Sequence, residues 1–170
     1  MLACIVFIST NSVAWEREIA LGYGIGKEIG EDYINRGVSI GGSFYRFKVD
    51  NTLFFTWDAT LAHWQAATTD NNTLDTAAVS GALRAYFMNP EGETIRPYIS
   101  TSVGPVYLSN RKFGAQEEGS NLAIQTVFGM GVEWKKIDIN FHFAHYSNAG
   151  LSKPNEGINI PYVLSIGYLF

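Results

Sequence analysis

The sequence predicts an all-β protein, an eight-stranded antiparallel transmembrane β-barrel of the outer-membrane type. From Trp15 to Phe170, apolar and polar residues alternate with a period of two, which is the period of a β-strand. Short and longer connections also alternate along the chain, as they do in outer-membrane barrels. No run of about 18 apolar residues follows Trp15, so a spanning helix is not expected.

The composition agrees with β-structure. The chain is 46% hydrophobic, 14% aromatic and 16% charged, and its 17 glycines favour strands with tight bends. A net charge of −4 without a basic cluster argues against a nucleic-acid partner. Cys4 is the single cysteine, so an internal disulfide cannot form.

Residues 1–14 are predicted to be a secretory signal peptide. Leu2 to Ile8 form a short apolar run, and Ser12-Val13-Ala14 supplies small residues for cleavage before Trp15. The usual basic start is missing, which leaves open a beginning upstream of Met1. The alternative is a disordered or strand-forming N-terminus, and residues 15–170 are expected to form one barrel domain.

Eight strands are predicted, and the last shows the alternation most clearly. The bulky face of that strand carries Tyr162, Leu164, Ile166, Tyr168 and Phe170. The predicted strands are residues 17–29, 37–49, 52–64, 75–88, 95–108, 121–134, 137–148 and 159–170. Few charges fall at mid-strand on the bulky face, where lysine or arginine costs about 2–4 kcal/mol in lipid. The bulky faces are therefore expected to contact the membrane.

The connections are short after the second, fourth and sixth strands and longer after the third, fifth and seventh. The short ones are centred on residues 50–51, 89–94 and 135–136, and the longer ones on residues 65–74, 110–119 and 149–158. An even strand number then places both chain ends on the periplasmic side. Side chains just fill the interior of an eight-stranded barrel, so a pore is not expected and function should lie on the loops or outer wall.

The seventh strand carries a histidine and a serine two residues apart. Period two places His145 and Ser147 on the outward face, with β-carbons about 7 Å apart. An imidazole at this spacing can approach a serine hydroxyl and activate it as a nucleophile. Because the strand runs outward, the pair should meet a lipid near the outer leaflet. The alternative is that both are ordinary interfacial residues where the apolar band ends.

Asparagine and glutamate side chains crowd the loop that follows. Asn148, Asn155, Glu156 and Asn159 lie within 12 residues of Ser147. Asparagine can donate to an oxyanion, and glutamate or asparagine can orient an imidazole. This neighbourhood favours the catalytic interpretation of the pair.

The segment His145-Tyr146-Ser147-Asn148-Ala149-Gly150-Leu151, with Lys153-Pro154-Asn155 and Gly157-Ile158, resembles the active site of the lipid A 3-O-deacylases, the PagL family. The resemblance implies an outer-membrane serine esterase that removes an acyl chain from lipid A of lipopolysaccharide. It implies that His145 is the general base and Ser147 the nucleophile. It makes Asn148 and Asn155 candidates for positioning or for the oxyanion hole.

The family's acidic third residue aligns, without gaps, with Asn159, while the carboxylate of Glu156 lies three residues earlier. Either Glu156 reaches back to His145, or Asn159 orients the ring as a neutral amide. The reaction requires no cofactor, and the sequence offers no clear metal cluster, since His63 and His142 lie far apart in the strand plan. Arg111, Lys112 and Lys153 are candidate contacts for the lipid A phosphates, although each is also typical of a solvated loop.

Two other functions fit the same pattern. The first is a non-catalytic small outer-membrane barrel with a structural or adhesive role. The loops are short for an adhesin, which weakens this alternative. The second is a soluble lipocalin-like barrel, which would have its bulky residues inside. The sequence leaves open whether two barrels associate as a homodimer.

Overall fold

The computed structural model describes residues 17–91 and 93–170, and the predicted signal peptide lies outside the described residues. The strands are β1 (Glu18–Lys27), β2 (Ile34–Lys48), β3 (Leu53–Ala66), β4 (Thr73–Tyr86), β5 (Ile95–Leu108), β6 (Lys112–Phe113), β7 (Gln116–Glu117), β8 (Leu122–Trp134), β9 (Ile137–Ser147) and β10 (Ile158–Leu169). None of the residues described forms a helix long and apolar enough to cross a membrane.

The long strands close into one barrel in the order β1-β10-β9-β8-β5-β4-β3-β2. Every neighbouring pair in the barrel is antiparallel. The predicted fold class is confirmed, and each predicted strand boundary lies within three residues of the observed one. Closure pairs the first strand with the last, which leaves the barrel without an exposed edge.

The barrel has two ends with different connections. At one end, here called the terminal end, lie Arg17 and Phe170, whose backbones hydrogen-bond to each other at 3.1 and 2.9 Å. At the other, here called the loop end, lie the connections 28–33, 67–72, 109–121 and 148–157. The segment 110–119, expected to be an irregular loop, contains the β6–β7 hairpin. Strands of two residues are too short to produce a visible alternation in sequence.

The outer wall is apolar, as the alternation predicts. Large apolar side chains point away from the barrel on every long strand and remain exposed, among them Leu21, Leu61, Val103, Phe128, Phe141 and Leu164. A soluble barrel would bury these side chains inside. The wall therefore presents a surface suited to lipid.

Side chains fill the two ends of the lumen in different ways. Near the terminal end, Arg84 forms ion pairs with Glu133 at 2.6 Å and with Glu18 and Asp138 at 3.2 Å. Near the loop end, an apolar cluster includes buried Trp64, whose indole N–H donates to the Tyr146 hydroxyl at 3.1 Å. Side chains thus fill both ends of the lumen, which leaves the loop end and the outer wall as the surfaces that can meet a lipid.

Candidate active site

His145 and Ser147 lie on the outward face at the loop end of β9. The inward residues Ala144, Tyr146 and Asn148 alternate with them and are buried, whereas His145 and Ser147 are half-buried. The apolar side chains of Ile139 and Phe141 lie below the pair on the same outward face. The two polar residues therefore stand where the apolar wall meets the loops.

Asn159 orients the imidazole of His145. The two residues are register partners across the β9–β10 ladder, and Asn159 Oδ1 lies 2.8 Å from His145 Nδ1. A carbonyl oxygen only accepts, so Nδ1 carries the proton and Nε2 is left to accept one. The ring of Phe143 stacks against the imidazole at 6.5 Å between centroids. Of the two alternatives for the third residue, Asn159 makes the contact.

Asn155 holds the hydroxyl of Ser147. Ser147 Oγ donates to Asn155 Oδ1 at 2.8 Å and accepts from the backbone N–H of Ala149 at 3.2 Å. Among the described residues, no hydrogen bond joins Ser147 to His145. The pair thus shares a face, as expected from period two, but each side chain is held by its own asparagine.

Asn148 builds the loop that follows β9. Its Oδ1 accepts from the backbone N–H groups of Gly150 at 3.0 Å and Ser152 at 3.4 Å, and its Nδ2 donates to the carbonyl of Pro154 at 3.0 Å. The side chain is buried and its polar atoms are engaged within the loop. This geometry suits a role in shaping the loop rather than donation to an oxyanion.

Glu156 does not contact His145. Its Oε2 accepts from the backbone N–H of Glu117 at 2.6 Å, and its own N–H donates to the Glu117 carbonyl at 3.3 Å. The chain direction after Asn155 points this side chain toward β7. Glu156 therefore fastens the loop to the β6–β7 hairpin.

Two buried carboxylates at the site were not identified from the sequence. Glu118, at the end of the hairpin, accepts from the backbone N–H groups of Asn148 at 2.8 Å and Gly157 at 2.7 Å. Glu28, in the first loop, accepts from Asn159 Nδ2 at 2.7 Å. Both are distant in sequence from the His-x-Ser segment. The one sequence signal that could have identified them is that each lies just beyond the end of a strand.

The three candidate cations are exposed in the loops near the site. Lys112 pairs with Glu117 at 2.8 Å on the hairpin, and the backbone carbonyl of Arg111 accepts from the N–H of Glu118. Lys153 belongs to the same loop as Asn155. Within residues 17–91 and 93–170, no group of three or more His, Cys, Asp or Glu side chains could hold a metal ion.

Comparison with known proteins identifies relatives for this sequence. A curated protein, lipid A deacylase PagL of Pseudomonas aeruginosa, is 30% identical over 105 residues, which cover 60% of this chain and 57% of that protein. The chain thus matches little more than half the length of that relative. The family model described as lipid A 3-O-deacylase (PagL) matches residues 34–168.

Solved structures resemble the fold over nearly the whole chain. The crystal structure of the outer-membrane enzyme PagL has a TM-score of 0.70 at 22% identity and covers 89% of this chain and 98% of its own. Neisserial surface protein A has a TM-score of 0.58 at 11% identity and covers 92% of this chain and 97% of its own. These likenesses establish the barrel architecture. Because the family model spans most of the barrel, the chain belongs to the lipid A 3-O-deacylase (PagL) family.

Proposed function

We propose that this protein is an outer-membrane serine esterase that removes the 3-O-linked acyl chain from lipid A. The family membership supports the substrate and the reaction. The observation that carries the proposal is the position of Ser147 and His145 on the outward face, directly above the apolar wall. A nucleophile in that position is open to a lipid that moves sideways in the membrane, whereas a soluble substrate would have no reason to approach there.

In this proposal the loop end lies at the outer leaflet, where lipid A resides. The short turns at the terminal end then face the periplasm, in agreement with the general orientation of such barrels. The acyl chains of the substrate lie along apolar side chains such as Ile139 and Phe141. The phosphorylated sugars lie at the level of the loops, where Arg111, Lys112 and Lys153 are candidate partners for the phosphates.

The reaction proceeds through an acyl-enzyme. Ser147 turns its hydroxyl from Asn155 toward His145, and Nε2 takes the proton while Oγ attacks the ester carbonyl carbon. The bond from that carbon to the sugar oxygen breaks, and His145 returns the proton to the sugar hydroxyl. Water then attacks the acyl-enzyme with His145 as base, which releases the fatty acid and restores Ser147.

Asn155 is the candidate oxyanion donor. Its amide lies against Ser147 Oγ, with Oδ1 at 2.8 Å, so its Nδ2 belongs to the group nearest the reacting oxygen. When Ser147 turns away, the amide is free to donate to the charge that develops on the carbonyl oxygen. One such donor contributes about 10²–10³ in kcat in serine hydrolases.

The test is mass spectrometry of lipid A after incubation with the refolded protein. We expect loss of one hydroxyacyl chain with the parent and no loss above background with Ser147→Ala. Ser165→Ala is the matched control, because Ser165 faces the lumen on β10 and should leave the activity intact. If the parent, folded as a barrel, releases no acyl chain, the esterase proposal is wrong and a non-catalytic structural or adhesive barrel is favoured.

A further inference from the structure

The carboxylate of Glu28 is buried beside Asn159, the residue whose amide orients the imidazole of His145. Only 1% of Glu28 is exposed. Its Oε1 accepts from Asn159 Nδ2 at 2.7 Å, and its Oε2 accepts from the Asn159 backbone N–H at 3.3 Å and from Asn35 Nδ2 at 2.6 Å. Asn35 also donates to the Asn159 carbonyl at 3.0 Å, so the carboxylate and the amide are fixed relative to each other.

The barrel register explains why these groups meet. β1 pairs with β10 in a register that ends with Gly24 opposite Val163, and Glu28 lies just beyond the end of β1, where its carboxylate reaches the amide of Asn159. Asn159 is in turn opposite His145 on β9. Glu28 in the loop after β1, Asn159 on β10 and His145 on β9 therefore form one hydrogen-bonded row, although the chain separates the first from the other two by more than 100 residues.

The hydrogen bonds in this row have one direction. A carboxylate only accepts, so Asn159 must turn its NH₂ toward Glu28 and its carbonyl toward His145. The negative charge polarises the amide and makes its carbonyl a stronger acceptor for the Nδ1 proton. A neutral asparagine can in this way pass the effect of a carboxylate to the imidazole.

The carboxylate of Glu28 is buried among neutral hydrogen-bond donors. Within the described residues, no lysine or arginine forms an ion pair with Glu28. A buried carboxylate held only by neutral donors is expensive to maintain. A positive charge that appears on His145 during the reaction would compensate it, because only one amide separates the two groups.

We propose that Glu28 is the acidic positioning residue of this site and acts on His145 through Asn159. The proposal rests on the proposed esterase function and adds to it the residue that supplies the negative charge. In place of a carboxylate in direct contact with the histidine, the chain uses an amide in contact and a carboxylate one step behind. Glu28 touches no substrate atom in this arrangement.

The test exchanges the carboxylate and the amide between the two positions. Glu28→Gln removes the charge, and the double variant Glu28→Gln/Asn159→Asp restores it one step closer to His145 without changing the number of side-chain atoms. Asp32→Asn is the control, because it removes an exposed carboxylate from the same loop, and among the described residues Asp32 forms an ion pair with Lys27 alone. Circular dichroism of each refolded barrel establishes that it is folded.

Two readouts together test the role of Glu28 separately from the identity of the substrate. The first is the rate at which a fluorophosphonate phosphonylates Ser147, a step in which the Oγ–P bond forms, fluoride leaves and His145 takes the proton. The second is the kcat for acyl release from lipid A. We expect Glu28→Gln to lower both by about tenfold or more with little change in KM, the double variant to recover most of the loss, and Asp32→Asn to match the parent.

Two outcomes would overturn the role of Glu28. One is a Glu28→Gln barrel that reacts with the fluorophosphonate as fast as the parent. The other is a folded double variant that stays as slow as Glu28→Gln, which would mean that Glu28 only supports the loop. If Ser147 is phosphonylated in a Glu28-dependent manner while lipid A is left intact, the substrate is wrong and the role of Glu28 stands.

Discussion

At the scale of single residues, asparagine amides hold both candidate catalytic side chains. Asn155 accepts from the Ser147 hydroxyl, and Asn159 faces the Nδ1 atom of His145. Gly157, with a φ of +76°, leaves free the space beside the ring, where a β-carbon would lie 2.7 Å from His145 Cε1. The position of His145 therefore depends on backbone geometry as well as on hydrogen bonds.

Gly157→Ala is expected to displace the imidazole. A β-carbon at this position would lie 2.7 Å from His145 Cε1, so the ring must move. The positive φ adds a strain of about 1 kcal/mol that any L-residue other than glycine would carry. We expect kcat for acyl release to fall by at least about tenfold, because small misplacements of a catalytic group are costly.

Gly150→Ala separates the backbone strain at a positive φ from the displacement of the imidazole. Gly150 has nearly the same φ, +77°, but apart from its chain neighbours no atom of the described residues lies within 4 Å of a β-carbon placed there. This variant should lose a similar amount of stability in thermal unfolding and keep most of its kcat. Equal kcat values for the two variants would contradict the idea that the missing β-carbon at Gly157 makes room for the imidazole.

At the scale of elements, the β6–β7 hairpin fixes the loop 148–157. Glu118 binds the backbone N–H groups at both ends of that loop, and Gly119 donates to the Pro154 carbonyl at 2.6 Å. Phe113 anchors the hairpin by burying its ring in the apolar cluster at the loop end. Two loops that are far apart in sequence thus act as one unit around Ser147.

Glu118→Ala is expected to loosen this unit. It leaves the N–H groups of Asn148 and Gly157 without their acceptor, at a cost of about 1–3 kcal/mol for each group that stays unsatisfied. Hydrogen exchange of these two amides should accelerate, while amides in the middle of β9 stay protected. Glu117→Ala is the control, since its ion pair with Lys112 is partly exposed and worth about 0–1 kcal/mol. Unchanged hydrogen exchange at both amides in Glu118→Ala would contradict the proposal that Glu118 holds the two ends of the loop 148–157.

At the scale of the whole molecule, the barrel separates a lipid-facing wall from a lumen whose two ends are filled by side chains. Ion pairs of Arg84 fill the lumen near the terminal end, and Trp64 and Tyr146 fill it near the loop end. Each long strand contributes to both surfaces because successive side chains alternate. This division leaves the loop-end rim of the wall as the place where polar chemistry can meet a lipid.

If the outer wall faces a membrane, a charged side chain on it should lower the stability of the barrel by an amount that depends on its depth in the bilayer. Leu164 lies at mid-strand in β10 and Leu122 at the loop end of β8, and both point outward. Leu164→Lys should lower the free energy of unfolding in lipid vesicles by about 2–4 kcal/mol, and Leu122→Lys by about 0–1 kcal/mol. Denaturant titration in vesicles measures both, and equal costs would argue against a bilayer around this wall.

Much of the fold was predictable because the alternation of side chains is a local property of the chain. It located the barrel strands to within three residues and placed His145 and Ser147 on the outward face. The β6–β7 hairpin was missed because a two-residue strand has no period to detect. The contact of Asn159 with His145 was one of two alternatives, and the sequence had no means of choosing between them.

The sequence by itself determined the barrel, its apolar wall and the His-x-Ser segment, because each depends on residues that are neighbours along one strand. Only the tertiary structure decided that Glu28 stands behind Asn159 and that Glu118 binds both ends of the loop 148–157. Those contacts arise when β1 closes on β10 and the hairpin folds over the barrel end. Closure joins residues more than 100 positions apart, and no local pattern encodes which carboxylate will then meet which amide.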